Sequence, residues 1–329
     1  MLLPPLPVLD ASSATTAATA PGPLAWGALT GAIMLLLTID LLVLRGRGGT
    51  MSNRAAAITS LVWIALSLLF AAMLAMLGTT EQASAFLAGY VVEKSLSLDN
   101  VFVFLVVLDA FAIAEATRAR VLTYGIVLAL GLRLIFIVIG ATALHHAAWL
   151  SIPFGLLLLW TGVRLWRSRH DHDGEAELVE GVRRRLRVAE GDHGDRLTVR
   201  VAGRRALTAT GAAFLALAIV DLLFAVDSVP AILAITTDTF VVFAANAFAL
   251  LGLRPLFFLV AHLVERLYYL KAALALLLIF IAVKMGLSEF AGKLPPHYSL
   301  LGVGTILTIG VVASLLRDRR ERATLRTVG

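Results

Sequence analysis

Two short acidic motifs with the same spacing lie inside long apolar stretches of this sequence. Glu93–Val101 reads EKSLSLDNV, and Asp221–Val229 reads DLLFAVDSV. In each motif a carboxylate is followed six residues later by a second carboxylate, then by a small polar residue and by Val. A charged side chain at the centre of a bilayer costs about 2.5–3.5 kcal/mol even on the mildest scale. Four such carboxylates in two matched pairs therefore mark the candidate functional site.

The polar side chains inside the apolar stretches offer oxygen atoms as ligands. The chain has no Cys, and all seven His lie outside these stretches or at their edges. Hard oxygen donors of this kind suit Mn²⁺, Mg²⁺ or Ca²⁺ better than Zn²⁺ or Cu⁺. Asn246 is a further polar residue in such a stretch. The candidate metal ligands are Asp40, Glu93, Asp99, Asn100, Asp221, Asp227 and Ser228.

Counting the carboxylates of Asp40, Glu93, Asp99, Asp221 and Asp227 against the basic residues Lys94, Arg133 and Arg254 leaves two negative charges uncompensated. That excess matches one divalent cation. We interpret Arg133 and Arg254 as counter-ions that stabilise buried carboxylates. Alternatively, these residues and Lys94 compete with the cation and help to empty the site. A simpler alternative is that the acids form only static ion pairs between helices.

The six-residue spacing limits how each acidic pair is used. On an α-helix, residues six apart differ by ~120° in direction and by ~9 Å along the axis. The seven-residue step is better aligned, so Glu93 shares its side of the helix with Asn100, and Asp221 with Ser228. Either each motif faces two partner helices, or its helix unwinds locally around one ion. Pro230 removes the hydrogen bond to the carbonyl of Val226, which gives either a free carbonyl ligand or an ordinary kink.

The elements that position these residues are membrane spans. A mean hydropathy of +0.89 and 59% hydrophobic residues exclude an ordinary soluble globule. The sequence predicts an all-α membrane protein with about nine transmembrane helices, and the third and sixth are long enough to tilt or break. The predicted spans are 25–44, 59–77, 85–111, 121–143, 147–163, 207–235, 240–261, 268–284 and 299–316.

The distribution of basic residues predicts the orientation. Of the 28 Lys and Arg residues, 23 lie in alternate loops, and only Lys293 lies in the loops between them. This asymmetry is the positive-inside pattern, which puts the N-terminus outside and the C-terminus in the cytoplasm. It also explains the net charge of +6 without nucleic acid. The first 24 residues lack the basic region of a secretory signal, so we expect a disordered tail there.

Further landmarks repeat beyond the acidic motifs. Gly131–Arg133 in the fourth span matches Gly252–Arg254 in the seventh, and Gly162–Leu165 matches Ala282–Met285. The third and sixth spans run in opposite directions, so the sequence predicts an inverted three-plus-three helix repeat, a common plan of secondary transporters. The alternative is coincidence in an apolar sequence.

The predicted segments are a disordered extracytoplasmic tail (1–24), a membrane region (25–167) containing the first repeat (85–167), a cytoplasmic loop (168–206), a second membrane region (207–316) containing the second repeat (207–285) and the last helix, and a basic cytoplasmic tail (317–329).

The cytoplasmic loop is the one substantial polar segment. Residues 175–189 suit a short charged helix, and alternation at Leu197, Val199 and Val201 predicts a small β-hairpin. We expect a cytoplasmic partner or a homo-oligomer to use 168–206. No metalloprotease helix, nucleophile elbow or phosphate-binding loop is present in the sequence, so we expect neither an enzyme nor a bound cofactor.

At the acidic motifs the chain resembles the TerC family, especially its Alx-like members. The resemblance lies in Glu93–Phe104 (EKSLSLDNVFVF), Asp221–Ile232 (DLLFAVDSVPAI) and the segment from Gly194 to Arg205, and it extends from about 25 to 316. It implies a multi-pass protein of the plasma (inner) membrane with a fold related to cation and amino-acid exporters. It also implies a link to tellurite resistance and, for Alx-like members, to manganese export. On the family pattern, Asp40, Glu93, Asp99, Asp221 and Asp227 line the transport site.

The sequence therefore favours an exporter of divalent cations, with Mn²⁺ as cargo, that works by alternating access through paired intramembrane carboxylates. Two other functions are alternatives. One is a membrane scaffold or assembly factor linked to tellurite resistance, and the other is an exporter of small organic cations or amino acids.

Overall fold

The computed structural model describes residues 21–45, 51–167, 173–186, 188–189, 191, 194, 196–201, 203–260, 268–291 and 295–328. Over these residues the chain forms eleven α-helices and one antiparallel pair of strands. The helices and strands are α1 (Pro23–Arg45), α2 (Asn53–Leu77), α3 (Thr80–Ala110), α4 (Glu115–His146), α5 (Ser151–Arg167), α6 (Asp173–Arg185), β1 (Thr198–Val201), β2 (Arg204–Leu207), α7 (Ala209–Leu233), α8 (Thr239–Leu251), α9 (Leu253–Val260), α10 (Leu270–Ala291) and α11 (Pro296–Val328).

Each of the nine predicted spans lies largely on described helical residues, while residue 261 of the seventh lies outside them, and the count of nine membrane crossings stays a prediction. Among the described residues, seven stretches are long and apolar enough to cross a membrane: they lie in α1, α2, α4, α7, α8 with α9, α10 and α11. The other two predicted spans do not meet that measure. The helix α5 has only 17 residues, and every 18-residue window of α3 contains at least three charged residues. The predicted basic tail begins as a continuation of α11, which runs to Val328.

The helix α8 lies at the centre of the helical core. Every side chain from Phe240 to Leu251 is buried. Around it, α8 packs against α3 and α4, and α4 and α3 each pack against α7. The helix α5 packs along α10. The residues of the two acidic motifs, on α3 and α7, are therefore held among helices from both halves of the chain.

Side-chain caps join α3 to α8 at their N-terminal ends. Thr79 and Gln82 form a capping box that starts α3. The side chain of Asp238 caps α8 by accepting from the amides of Phe240 and Val241, at 3.0 and 3.4 Å. Gln82 Nε2 then donates to Asp238 Oδ2 at 3.0 Å. We call this contact the Gln82–Asp238 staple.

The interruption of a membrane helix occurs at Gly252, between α8 and α9. The helices α3 and α7 are continuous, and Pro230 lies inside α7. The sequence left open a break in the third or sixth span, whereas the break lies in the seventh, predicted as one span over 240–261. Pro255 falls in the first turn of α9, where a missing amide hydrogen costs no helical hydrogen bond.

The predicted β-hairpin is present and is fixed to the start of α7. Strands β1 and β2 pair antiparallel, with Thr198 opposite Leu207. The Thr208 amide donates to the Leu197 carbonyl at 3.1 Å, and Thr210 Oγ1 donates to the Gly194 carbonyl at 2.8 Å. The predicted charged helix is α6, which ends at Arg185 rather than near residue 189. It packs against α3 and α7.

Candidate intramembrane site

The first carboxylates of the two acidic motifs share one guanidinium. Arg133 of α4 is fully buried, and its Nη1 donates to Glu93 Oε1 of α3. Its Nη2 donates to Asp221 Oδ1 of α7 at 3.1 Å. Nη1 also reaches Asn246 Oδ1 of α8 at 3.0 Å and Ser228 Oγ of α7 at 3.3 Å. These five residues, from four helices, form what we call the Arg133 cluster.

The Arg133 cluster holds more negative than positive charge. With both acids ionised, two carboxylates face one guanidinium. One oxygen of each acid, Glu93 Oε2 and Asp221 Oδ2, has no hydrogen-bond partner among the described residues. A buried acceptor without a partner costs free energy, more so when it is charged. These oxygens therefore suit a cation or a proton.

Local helix geometry orients the cluster. Asn246 Nδ2 donates to the Val242 carbonyl one turn earlier, at 3.0 Å, which turns its Oδ1 toward Arg133. The sequence identified Asn246 as an intramembrane polar residue but not as part of the site. Asn100 is buried, yet among the described contacts it does not join the cluster. Ser228, predicted to align with Asp221 at a seven-residue spacing, does join it.

The second carboxylate of the α7 motif has a different partner helix. Asp227 is half-buried, and it accepts a hydrogen bond from Thr161 Oγ1 of α5 at 3.0 Å. Asp221 faces Arg133 of α4 instead. Because α7 is continuous, the two acids point to two partner helices, which was one of the two arrangements left open by the spacing. Nothing in the sequence distinguished Thr161 from other hydroxyl residues in helices. The side chain of Asp99 lies outside the described residues.

The remaining predicted site residues lie apart from the Arg133 cluster. Arg254 Nη1 of α9 donates to Asp40 Oδ2 of α1 at 2.7 Å, and both side chains are largely buried. Arg254 thus pairs with an acid from α1 rather than with one from an acidic motif. Lys94 Nζ donates to the Ala249 carbonyl at 3.2 Å.

A small cavity of about 10 Å³, close to the space of one water molecule, adjoins the Arg133 cluster. Asp221 is the ionisable residue in its lining, which is otherwise apolar and includes Phe104, Leu122, Ile126 and Leu217. These residues lie toward the C-terminal end of α3 and the N-terminal ends of α4 and α7. The cavity thus reaches a buried carboxylate from one side of the helical core.

The opposite side of the cluster is closely packed. A Cβ added to Gly89, one turn before Glu93, would lie 3.1 Å from Ile232 Cγ2 and 3.2 Å from Ala245 Cβ. Contacts this short would require the neighbouring side chains to shift by a few tenths of an ångström to admit a methyl group. The side of the Arg133 cluster next to Gly89 is therefore more closely packed than the side next to the cavity.

The predicted ligands do not converge on one point in this conformation. The described part of the chain gathers no group of three or more His, Cys, Asp or Glu side chains of the kind that holds a metal ion. The described carboxylates divide among the Arg133 cluster, the Asp227–Thr161 contact and the Asp40–Arg254 pair. Their role as metal ligands stays a prediction.

Comparison with protein families gives a match over most of the chain. A model described as "Integral membrane protein TerC family" matches residues 78–323. This range contains both acidic motifs and all of the Arg133 cluster. No solved structure gives a significant match.

Several curated proteins are similar along nearly their whole length. A Salmonella typhi protein named "Putative membrane-bound redox modulator Alx" is 40% identical over 317 residues, covering 92% of this chain and 98% of that protein. Its Escherichia coli K12 namesake is 41% identical over 280 residues, or 82% of this chain and 87% of that protein. "Uncharacterized membrane protein STKORF319" of Myxococcus xanthus is 38% identical over 296 residues, covering 89% and 92% of the two chains.

Proposed function

The chain belongs to the TerC family of integral membrane proteins, and from that premise we propose that it exports divalent metal cations, with Mn²⁺ as its main cargo. One observation carries this proposal. Two buried carboxylates, one from each acidic motif, share Arg133, and each keeps one oxygen that no described residue contacts by a hydrogen bond. A static ion pair would need no such excess of negative charge in the hydrocarbon.

The cavity supports a route for the cargo. A cation that enters it meets Asp221, whose second carboxylate oxygen is free of hydrogen bonds among the described residues. Ser228 and Asn246 supply further neutral oxygens within the same cluster. Arg133 then competes with the cation for Asp221, and its return expels the cargo. Oxygen ligands without any Cys favour Mn²⁺ over softer metals.

We propose alternating access between two inverted three-helix halves, in a chain that crosses the inner membrane nine times with its N-terminus outside. The packing supports this symmetry, because α3 lies against α8 as α7 lies against α4, and α5 pairs with α10. Exchanging the conformations of inverted halves exchanges the open side. With the proposed orientation, the cavity faces the cytoplasm and the Gly89 contacts close the outer side.

The name of the Salmonella typhi and Escherichia coli relatives, "Putative membrane-bound redox modulator Alx", suggests a redox connection. The present chain has no Cys, so thiol–disulfide exchange within it is excluded. Export of a redox-active metal such as manganese is one route by which a membrane protein without thiols would change the redox state of the cytoplasm. We therefore treat a redox effect as a consequence of transport and not as a catalytic activity of this chain.

A scaffold function is the second candidate, and the hairpin favours it. The segment β1–β2 is exposed and attached to α7. It is therefore available to a cytoplasmic partner while it is joined to the helix that carries Asp221 and Asp227. Deleting 170–200 separates the two functions. Loss of the cellular phenotype with transport intact supports the scaffold.

The test is transport by the purified protein in proteoliposomes, with Mn²⁺, Mg²⁺, Ca²⁺ and Zn²⁺ compared with and without an imposed pH gradient. We expect Mn²⁺ flux that Asp221→Asn abolishes and that Glu180→Gln, on the exposed face of α6, leaves unchanged. If Asp99→Asn and Asp227→Asn both transport Mn²⁺ like the parent protein, the proposal is wrong. Amino-acid flux that needs no manganese points instead to an organic-cation or amino-acid exporter.

A further inference from the structure

The strands β1 and β2 place two arginines directly opposite each other. In the antiparallel register Arg200 pairs with Arg205, so both side chains stand on the same face of the hairpin. Both arginines are exposed. Like charges at directly opposite positions destabilise a pair of strands, because the two Cβ atoms lie only ~5 Å apart. The hairpin alone therefore contains a repulsion that a bound anion would remove.

Among the described residues, no acid balances these two charges. Residues 196–207 contain four Arg and no Asp or Glu. Neither Arg200 nor Arg205 forms an ion pair with another described residue. The arginines of α6 differ, since Glu180 pairs with two of them at 3.5 and 3.3 Å. The hairpin face is thus open to an anion from outside the chain.

The contacts at the base of the hairpin hold this face close to the membrane surface. The membrane-length apolar stretch of α7 begins at Ala209, and just before it the Thr208 amide donates to the Leu197 carbonyl. Arg205 is four residues before Ala209, so its Cα lies within ~14 Å of the apolar stretch even in a fully extended chain. Lipid headgroups occupy roughly 5–8 Å of that distance, and the rest is comparable to the Debye length of ~8 Å. Both opposed arginines are therefore within reach of the headgroups.

We propose that Arg200 and Arg205 bind the phosphate of an anionic lipid headgroup. A guanidinium donates two parallel hydrogen bonds to phosphate oxygens, so two guanidinium groups on one face suit one phosphate. In the proposed orientation the hairpin lies at the cytoplasmic leaflet, whose anionic lipids attract Arg near the surface. Because the hairpin is attached to α7, the bound lipid is linked to the helix that carries Asp221 and Asp227. This inference does not depend on the transport of a divalent cargo.

The experiment is hydrogen exchange of the amides of residues 197–207 in the purified full-length protein. It compares nanodiscs of phosphatidylcholine with nanodiscs that also contain phosphatidylglycerol. We expect phosphatidylglycerol to slow exchange in the hairpin by roughly tenfold, because a ligand that binds only the folded hairpin stabilises it. Arg205→Gln should lose this response. In phosphatidylcholine alone, Arg205→Gln should exchange more slowly than the parent protein, since the opposed charges are gone. An arginine that only held the hairpin together would give the opposite change.

A double variant of α6, Arg183→Gln with Arg184→Gln, is the matched control. It removes two positive charges from the same cytoplasmic segment but leaves the hairpin face intact, so the response to phosphatidylglycerol should persist. Arg200→Glu keeps the test independent of folding defects. It places a negative charge opposite Arg205 and should give a well-formed hairpin that does not respond to phosphatidylglycerol.

The proposal is overturned if the parent protein exchanges alike in both kinds of nanodisc, or if the α6 double variant also loses the response. Equal slowing by inorganic phosphate in phosphatidylcholine nanodiscs would assign the site to a free anion and reject the lipid. Slowing by polyglutamate but not by phosphatidylglycerol would assign it to an acidic protein partner and reject the lipid as well. Both leaflets of these nanodiscs have the same composition, so the test depends neither on the proposed orientation nor on transport.

Discussion

Arg133 is the residue at which the two halves of the sequence meet. Its guanidinium is fully buried and contacts one carboxylate from each acidic motif. Desolvating three charged groups is costly, and the cost is offset only when the geometry and the hydrogen bonds are good. Asn246 and Ser228 contribute two of those hydrogen bonds. We therefore expect the cluster to be destabilised more by loss of the Arg133 guanidinium than by loss of the Asn246 or Ser228 side chain.

We expect Arg133→Gln to destabilise the protein by about 3–5 kcal/mol, because it leaves two buried carboxylates without a counter-ion. The measurement is the free energy of unfolding in detergent micelles by denaturant titration. The same variant should lose Mn²⁺ transport if the proposed function is right.

Arg184→Gln is the control for this prediction. Arg184 pairs with Glu180 on the surface of α6, where its side chain is 79% exposed. Such pairs contribute about 0–1 kcal/mol. Equal losses for the two variants would contradict the ion pairs of the Arg133 cluster.

The counter-ion role of Arg133 and Arg254 was predictable from the sequence, because a base in a membrane span with unpaired acids needs a partner. Which acid each base would take was not predictable. The repeat suggests equivalent partners, yet Arg254 pairs with Asp40 of α1, outside the repeat. Thr161 gave no signal either, since its contact with Asp227 depends on how α5 packs on α7.

At the scale of elements, the continuous helix α7 answers the question raised by the six-residue spacing. A helix turns ~120° over six residues, so Asp221 reaches α4 while Asp227 reaches α5. The break occurs instead in the seventh span, where Gly252 is followed by Pro255 three residues later. That pattern is an ordinary stop-and-start signal for helices. From the sequence, Gly252 supports only the repeated Gly-Leu-Arg landmark, and no break is predicted there.

The joint between the hairpin and α7 leads to a second prediction. A Cβ at Gly211 would lie 1.9 Å from the backbone oxygen of Leu197. We therefore expect Gly211→Ala to separate the hairpin from the first turn of α7 and to break the backbone contact of Thr208 with Leu197. Hydrogen exchange of the hairpin amides should accelerate at least tenfold in this variant.

Gly181→Ala provides the comparison, because a Cβ at Gly181 on α6 meets nothing within 4 Å. It should leave exchange in the hairpin unchanged and strengthen α6 slightly, since Ala favours helix over Gly by about 1 kcal/mol. Unaltered exchange in Gly211→Ala would show that the hairpin is not held at this glycine.

For the whole molecule, the unequal packing on the two sides of the Arg133 cluster is the main functional feature. Ile126 on α4 lines the cavity. When Arg133 is aligned with Arg254, the residue equivalent to Ile126 in the second repeat is Ala247 on α8. Ala247 is fully buried. Ile126 is buried as well, at 5% exposure, so the two equivalent positions differ in that Ile126 lines the cavity and Ala247 does not.

Because the side that carries the cavity opens more readily than the closely packed side, we expect Ile126→Cys to react with a membrane-impermeant thiol reagent applied to the cytoplasmic face faster than Ala247→Cys reacts from either face. The chain contains no Cys, so each introduced thiol is read without background. The measurement is labelling in right-side-out and inside-out membrane vesicles.

Leu61→Cys, on the exposed surface of α2, reports whether the reagent enters the lipid. Labelling of Ile126→Cys only from the extracytoplasmic face would reverse the proposed orientation. Equal labelling of the Ile126 and Ala247 variants would contradict a one-sided opening.

The Gln82–Asp238 staple holds α3 against α8 on the side of the Arg133 cluster that lies opposite the cavity. To open that side, α3 must part from α8, which breaks this hydrogen bond and disturbs the cap on the first turn of α8. Each contact of this kind contributes about 1 kcal/mol, and every 1.4 kcal/mol is a tenfold change in population. In the proposed orientation, the empty protein therefore rests shut toward the outside. It behaves as a check valve: cations already expelled find no ready path back into the cell.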